Sequence, residues 1–177
     1  LSFWLPVALS GQLITLSQPV VNAAIGRAPD AEVALPAYFL GLHVAVLTQA
    51  LVLPGINVAA ALVRDAASFR TVALVLLGAG AISAALCATI ARTALGDFVF
   101  RDLMNQTNPR VVEGARDSLF WLAPSSIGVA LRGALQGAAL AEKSAGRLAL
   151  ATAARLVVVF ATTTYAASRH GVRGEVA

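Results

Sequence analysis

The stretch 71–91 reads TVALVLLGAGAISAALCATIA and contains no Asp, Glu, Lys, Arg or His. As an α-helix, its 21 residues would measure about 31 Å at about 1.5 Å per residue, and the hydrocarbon core of a bilayer is about 30 Å thick. A run of this length and composition is typical of a transmembrane helix. We therefore predict that this stretch spans a membrane.

The composition of the whole chain agrees with that prediction. Of its 177 residues, 58% are hydrophobic and 12% are charged, whereas soluble domains have about 25% charged residues. A soluble surface needs more charge than this, so the composition argues against a soluble globular protein. The formal net charge of +4 comes from basic residues scattered between apolar runs. Because they form no basic face with interleaved aromatic residues, we expect no nucleic-acid partner.

Four further stretches have few charges and are long enough to cross a bilayer. They are 2–25, 33–63, 118–141 and 148–167. The second is longer than a span requires, and a kink at Pro54 would absorb the excess. The predicted fold is therefore an all-α, polytopic transmembrane helix bundle with about five spans, forming a single membrane domain over 1–177.

The segment 92–117 differs from the spans because charges of both signs recur in it. Four apolar residues of this segment have helical spacing opposite three charged ones, as in an amphipathic helix that lies at the membrane interface. They are Leu95, Phe98, Val99 and Leu103, opposite Asp97, Arg101 and Asp102. Asn108 and Pro109 are typical of the N-cap and first position of a new helix.

Loop charges give a direction to the predicted spans. The loops 64–70 and 142–147 lie on one side of the membrane, here called side A, and are short and basic. The loops 27–32 and 92–117 lie on the other, side B. A high density of Lys and Arg is typical of cytoplasmic loops, so side A is predicted to face the cytoplasm.

Polar residues in the first span lie on one helical face. Gln12, Pro19 and Asn22 follow spacings of three and four with Thr15, and Gln18 lies on the flank of that face. This face either forms hydrogen bonds between helices or lines a cavity beside a substrate or ion path, with Pro19 bending the helix. Both interpretations stay open at this point.

The second and third spans carry weaker signals. His43, Pro54 and Asn57 share a face of the second span, but no carboxylate lies near His43 in the sequence, so we interpret it as structural or interfacial. Cys87 is the chain's single cysteine. It supports no disulfide framework or thiolate metal site, and we expect it to pack inertly. We predict no metal site.

Two arginines interrupt the last two spans. Arg132 lies about as far before the side-A turn as Arg155 lies after it, so an antiparallel hairpin would place both at one depth, on the order of 12 Å into the membrane. No Asp or Glu lies within these spans, and an isolated charge in hydrocarbon is costly. An anionic substrate, an acidic residue elsewhere in the protein, or snorkelling to side-A headgroups would each compensate.

Neighbouring residues bear on these alternatives. Ser125, Gly128 and Gln136 share a stripe with Arg132, as expected of a cavity wall. Gly133 and Gly137 form a small-xxx-small pattern that could instead pack closely against another helix.

Several short motifs give the chain a family resemblance. They are FWLPVAL at 3–9, SQPVVN at 17–22 and LRGALQG at 131–137. With the hydropathy rhythm, they resemble the multidrug/oligosaccharidyl-lipid/polysaccharide flippases, and among these the bacterial MATE-like and progressive ankylosis proteins. The resemblance implies about the first five of twelve helices. The chain also starts at Leu1 without Met, so we expect an N-terminal lobe fragment of a longer protein whose C-terminal lobe is missing here.

The resemblance implies alternating access between two lobes, driven by Na⁺ or H⁺ where coupling is known. Many drug exporters of this superfamily carry an Asp near a Pro in the first helix, where this chain has Gln18, Pro19 and Asn22. We therefore expect no carboxylate coupling in this lobe and no identifiable ion site or cofactor.

These observations favour a secondary transporter or flippase in a bacterial cytoplasmic membrane. Its substrate would be an organic anion, a lipid-linked compound or a drug-like molecule, bound by Arg132, Arg155, Gln136, Gln12, Gln18 and Asn22. The alternative is a non-transporting membrane scaffold or subunit whose polar stripes only pack helices. An enzyme is not expected, because the spans contain no paired carboxylates, HExxH motif or Ser/His/Asp set.

Overall fold

A computed structural model describes residue 19 and residues 21–23, 25–26 and 30–142. All regular elements in these ranges are helical, which confirms the predicted all-α class. Residues Pro36–Glu142 form one compact unit of the chain, and the contacts described below belong to it. The predicted fifth span and nearly all of the first lie outside the described residues, and the single membrane domain stays a prediction.

Within residues 30–142, six α-helices, a 3₁₀ turn and a π-helix follow one another. They are α1 (Ala31–Thr48), a 3₁₀ turn (Gln49–Leu51), α2 (Gly55–Leu62), α3 (Ala66–Arg92), α4 (Ala94–Asp97), a π-helix (Phe98–Leu103), α5 (Pro109–Leu122) and α6 (Ser125–Ala141).

Three helical stretches are long and apolar enough to cross a membrane. They are Ala31–Leu62, Ala66–Arg92 and Pro109–Ala141, with 32, 27 and 33 residues. They coincide with the second, third and fourth predicted spans, although all three begin earlier than hydropathy alone indicates. These lengths and compositions are those of a membrane protein.

Two of the three membrane-length stretches are interrupted near their middle. The first breaks between α1 and α2, where the 3₁₀ turn leads to Pro54 at the N-cap of α2. This is the kink that the sequence predicts. The second breaks between α5 and α6 at Ala123 and Pro124, a break that the sequence does not predict within the fourth span. Since proline has no N–H to donate, it favours a break at each place.

The helix α3 is continuous and is capped at its start. The Asp65 carboxylate accepts from the Ser68 backbone N–H at 2.7 Å, and Ser68 Oγ accepts from the Asp65 N–H at 3.0 Å. This reciprocal capping box satisfies two backbone donors that a helix start would otherwise leave unpaired. It fixes the entry to α3 at Ala66, which lies inside the loop that the sequence predicts at 64–70.

Glycines allow the membrane-length helices to approach closely. A Cβ on Gly137 of α6 would lie 2.5 Å from the Ile56 carbonyl oxygen of α2, and one on Gly80 of α3 would lie 3.0 Å from the Ser126 carbonyl oxygen of α6. No side chain fits in such spaces. The small-xxx-small pattern in the sequence therefore packs helices, as its second interpretation proposed.

The segment 92–117 divides into two parts. Its first part contains α4 and the π-helix, on which Leu95, Phe98 and Leu103 are exposed while Phe100 is fully buried. Its second part is already α5, because the Asn108 side chain accepts from the Arg110 N–H at 3.0 Å and Pro109 occupies the first turn. The start of this helix agrees with the capping prediction, whereas the predicted boundary of the fourth span at 118 falls inside it.

Candidate functional site

The two helix breaks meet at a cluster of polar side chains, of which Gln49, Ser83 and Ser126 are buried and Ser125 is exposed. Gln49 begins the 3₁₀ turn after α1, and Ser125 and Ser126 begin α6 after the second break. Gln49 Nε2 donates to Ser125 Oγ at 3.0 Å and to Ser126 Oγ at 3.3 Å. The hydrogen bonds therefore join the two interrupted stretches where each leaves helical geometry.

The continuous helix α3 contributes a further polar side chain, Ser83. Ser83 Oγ donates to Ser126 Oγ at 3.2 Å. Ser83 and Ser126 are completely buried, and Gln49 is 7% exposed. We call Gln49, Ser83, Ser125 and Ser126 the mid-span cluster. All four side chains are uncharged, so the cluster presents hydroxyl and amide groups only.

The surroundings of the mid-span cluster add further polar atoms. Ser125 Oγ donates to the Leu122 carbonyl oxygen at 2.6 Å, which satisfies an acceptor at the end of α5. Beside it, Thr48 Oγ1 lies 2.9 Å from Cys87 Sγ and also donates to the Ala45 carbonyl oxygen. Cys87 is fully buried. It packs in the core, as expected.

The mid-span cluster lies near the middle of the membrane-length helices. Gln49, Ser83 and Ser126 are within about four residues of the midpoints of their stretches, or about 6 Å along each helix. At this depth, backbone groups freed by a helix break have no water to pair with unless they line a cavity. Polar side chains at the breaks supply partners for some of these groups.

Two of the predicted binding residues lie on α6, one to three turns beyond the mid-span cluster. Arg132 is half-buried, and its Nε donates to Gln136 Oε1 at 3.0 Å. Gln136 is a neutral acceptor, so this hydrogen bond orients the guanidinium group without cancelling its charge. On the same stripe, a Cβ added to Gly128 would meet nothing within 4 Å. The stripe thus runs from Ser125 to Gln136 along one helix.

The other predicted binding residues cannot be placed beside this stripe. Gln12, Gln18 and Arg155 lie outside the described residues, so the common depth of the two arginines stays a prediction. Pro19 lies in helical backbone. Asn22 also lies in a helix, and its Oδ1 atom is buried with no hydrogen-bond partner within the part of the chain that the structure describes.

The polar residues of the second span do not share one helix face, because the break separates them. Pro54 and Asn57 are exposed on the far side of the break from His43. His43 Nδ1 donates to the Phe39 carbonyl oxygen of its own helix at 2.6 Å, and the side chain is exposed. This contact agrees with a structural or interfacial His43.

Sequence reasoning did not identify Gln49, Ser83 or Ser126 as parts of one site. Gln49 follows Thr48 and precedes Pro54, and Pro124 directly precedes the two serines. Pro54 and Pro124 each lie near the middle of a long apolar stretch. These two prolines are the sequence signal that could have indicated two helix breaks at one depth.

No family model, curated protein or solved structure matches the chain. The function must therefore be inferred from the residues and geometry described above.

Proposed function

We propose that the protein is a secondary active transporter or flippase of the MATE-like class, located in a bacterial cytoplasmic membrane. It would move an organic anion, a lipid-linked compound or a drug-like molecule by alternating access. In this proposal the described helices belong to an N-terminal lobe of about five spans, and a C-terminal lobe completes the transporter.

The observation that carries the proposal is the meeting of two helix breaks at a largely buried polar cluster near the middle of the membrane-length helices. Discontinuous helices of this kind form substrate and ion sites in many secondary transporters, because the interrupted backbone exposes polar groups where the lobes move. Gln49 and Ser125 join the two breaks by a hydrogen bond of 3.0 Å. A rigid scaffold has no need to interrupt two spans at the same depth.

The charge on α6 supports an anionic substrate. Arg132 lies six residues beyond Ser126 on the same helix, which is about 9 Å. An anion bound near the mid-span cluster would be attracted by this guanidinium group across a low-dielectric interior.

Transport by the purified protein in liposomes tests both parts of the proposal. Trapped carboxyfluorescein serves as the anionic probe, rhodamine 6G as the cationic probe and an NBD-labelled phospholipid as the lipid probe. We expect carboxyfluorescein to leave faster than from protein-free liposomes. Arg132→Gln should slow this by about tenfold, the effect of one lost charge-assisted contact.

Arg110→Gln is the matched control, because Arg110 is exposed in the first turn of α5. It should transport carboxyfluorescein like the wild type. If Arg132→Gln also does so, the anion assignment is wrong while the transporter assignment stands. If none of the three probes moves faster than in protein-free liposomes, the transporter assignment is overturned.

A non-transporting scaffold or subunit is the second candidate, and the close helix contacts favour it. Gly80 and Gly137 place α6 directly against the backbone or side chains of α3 and α2, and the hydroxyl groups of Ser83 and Ser126 hydrogen-bond to each other. Such contacts are also what helix packing alone would require. The absence of transport of all three probes would favour this candidate.

A further inference from the structure

A cleft at the side-B ends of α3 and α5 is separate from the mid-span cluster. Its volume is about 480 Å³. Three arginines and three acidic residues line it together: Arg92, Arg101, Arg116, Asp97, Glu113 and Asp117. We call this the boundary cleft. Its formal charges balance, so it has sites for both an anionic and a cationic group.

Arg116 and Asp97 hold the cleft together. Arg116 donates to Asp97 Oδ2 at 3.0 Å and to the carbonyl oxygens of Ala91 and Thr93 at 3.0 and 3.2 Å. These bonds cap the end of α3 and leave this guanidinium group few donors for a ligand. Arg116 is therefore a structural element of the cleft wall.

The other two arginines of the cleft make fewer close polar contacts than Arg116. Arg92 stacks over the Phe120 ring at 4.0 Å and reaches Asp117 only at 3.8 Å. Arg101 lies 3.4 Å from Asp97, and its side chain is 54% exposed. Since a guanidinium group has five N–H donors, both retain donors that suit a phosphate.

Glu113 supplies the opposite charge. It is exposed on the cleft wall and makes no ion pair among the residues that the structure describes. A carboxylate in this setting accepts hydrogen bonds from a primary ammonium group. A quaternary ammonium group has no N–H to donate, and a purely anionic headgroup would be repelled by the carboxylate.

The cleft lies where lipid headgroups would be. Arg92 ends one membrane-length helix and stacks on Phe120 of α5, so the cleft lies at the level where α3 ends. Leu95, Phe98 and Leu103 on the neighbouring segment are 52%, 56% and 70% exposed, and Trp121 is 79% exposed. Exposed apolar and Trp side chains at this level are typical of contact with the membrane interface.

We propose that the boundary cleft binds the headgroup of a zwitterionic phospholipid with a primary amine, as in phosphatidylethanolamine. Arg92 and Arg101 bind the phosphate, and Glu113 accepts from the ammonium group. The acyl chains then lie beside the exposed apolar residues of the π-helix.

Thermal unfolding of the purified detergent-solubilised protein tests this proposal. The Tm is measured during titration with dioleoyl phosphatidylethanolamine, dioleoyl phosphatidylcholine or dioleoyl phosphatidylglycerol. We expect apparent binding of the ethanolamine lipid about tenfold tighter than of the other two, as one charge-assisted hydrogen bond would give. Equal binding of the three lipids, or a preference for phosphatidylglycerol, would overturn the proposal.

Variants and a soluble probe make the test specific. Glu113→Gln should remove the preference for ethanolamine over choline, and Arg101→Gln should weaken binding of both lipids. Glu142→Gln, an exposed acid at the far end of α6, is the matched control and should bind like the wild type. An unchanged preference in Glu113→Gln would contradict the assigned role. Glycerophosphoethanolamine has the same headgroup without acyl chains, and equal binding of it would overturn the assignment to a lipid.

Discussion

The middle and the ends of α3 both carry polar contacts, but of different chemical kinds. In the middle, Ser83 meets Ser126 through neutral hydroxyl groups, and both side chains are fully buried. At the ends, charged side chains cap the helix: Asp65 caps the first turn and Arg116 caps the last. An ion loses its hydration in hydrocarbon but keeps much of it at the boundary, so depth in the membrane selects the chemistry of each contact.

The largest expected effect lies in the middle, where helix packing allows no added atoms. A Cβ on Gly80 would lie 2.8 Å from the Ala130 Cβ and 3.0 Å from the Ser126 carbonyl oxygen. Gly80→Ala should lower the free energy of unfolding by about 1–3 kcal/mol, as overpacking does. Denaturant unfolding of the purified protein measures this.

Gly78→Ala is the matched control on the same helix, since a Cβ there would meet nothing within 4 Å. It should stabilise the protein by up to about 1 kcal/mol, because alanine favours helix more than glycine does. If the two variants had equal stability, the close contact between α3 and α6 would be contradicted.

The next effect concerns the charged end of α3. Arg116→Ala removes three hydrogen bonds, to Asp97 and to two carbonyl oxygens, and its side chain is only 26% exposed. We expect a loss of about 1–2 kcal/mol in the free energy of unfolding. Arg101→Ala removes a more exposed partner of the same Asp97 and should cost at most about 0.5 kcal/mol. Equal losses in the two variants would mean that capping of α3 adds nothing to the ion pair.

A smaller effect is expected within the mid-span cluster. Gln49→Leu and Ser126→Ala each remove one partner of the 3.3 Å hydrogen bond, and the double variant removes both. The coupling energy from this double-mutant cycle should be about 0.6 kcal/mol, the average for hydrogen bonds between membrane helices. A coupling energy of zero would show that this hydrogen bond adds nothing to the contact between the two helix breaks.

The sequence predicts the lengths of these helices better than their contacts. Stretches with few or no charges identify three membrane-length helices because hydrocarbon disfavours charge, and Asn108 with Pro109 identifies a helix start because the capping is local. Even the break at Pro54 follows from the residue itself. Each of these signals lies within a few residues of the feature that it predicts.

The contacts between helices depend on how each helix is rotated, which hydropathy does not specify. Ser83 and Ser126 are 43 residues apart, and Arg116 lies 19 residues from Asp97. In the sequence Arg116 is only one of several charges in 92–117, whereas in the fold it caps α3 and lines a cleft. A stripe of polar residues on one helix indicates a face, but the partner of that face comes from tertiary packing.

The smallest expected effect is at the start of α3, where the capping side chain is an ionisable carboxyl group. The polar side chains that meet in the middle of this helix are neutral hydroxyl groups. The backbone N–H of Ser68, followed by its side chain, hydrogen-bonds to Asp65 and holds the pKa of that carboxyl below its usual 3.8. A lowered folded-state pKa means that the carboxylate stabilises the fold at pH values above 3.8, and that this contribution is lost as the pH falls through the folded-state pKa. Asp65→Asn keeps a capping side chain but has no such titration. The Tm of the wild type should therefore exceed that of Asp65→Asn slightly at pH 7, and the difference should disappear on acidification below pH 3.8. A difference that stays constant from neutral to acidic pH would contradict a charged cap and leave this end of α3 no different in kind from its neutral middle.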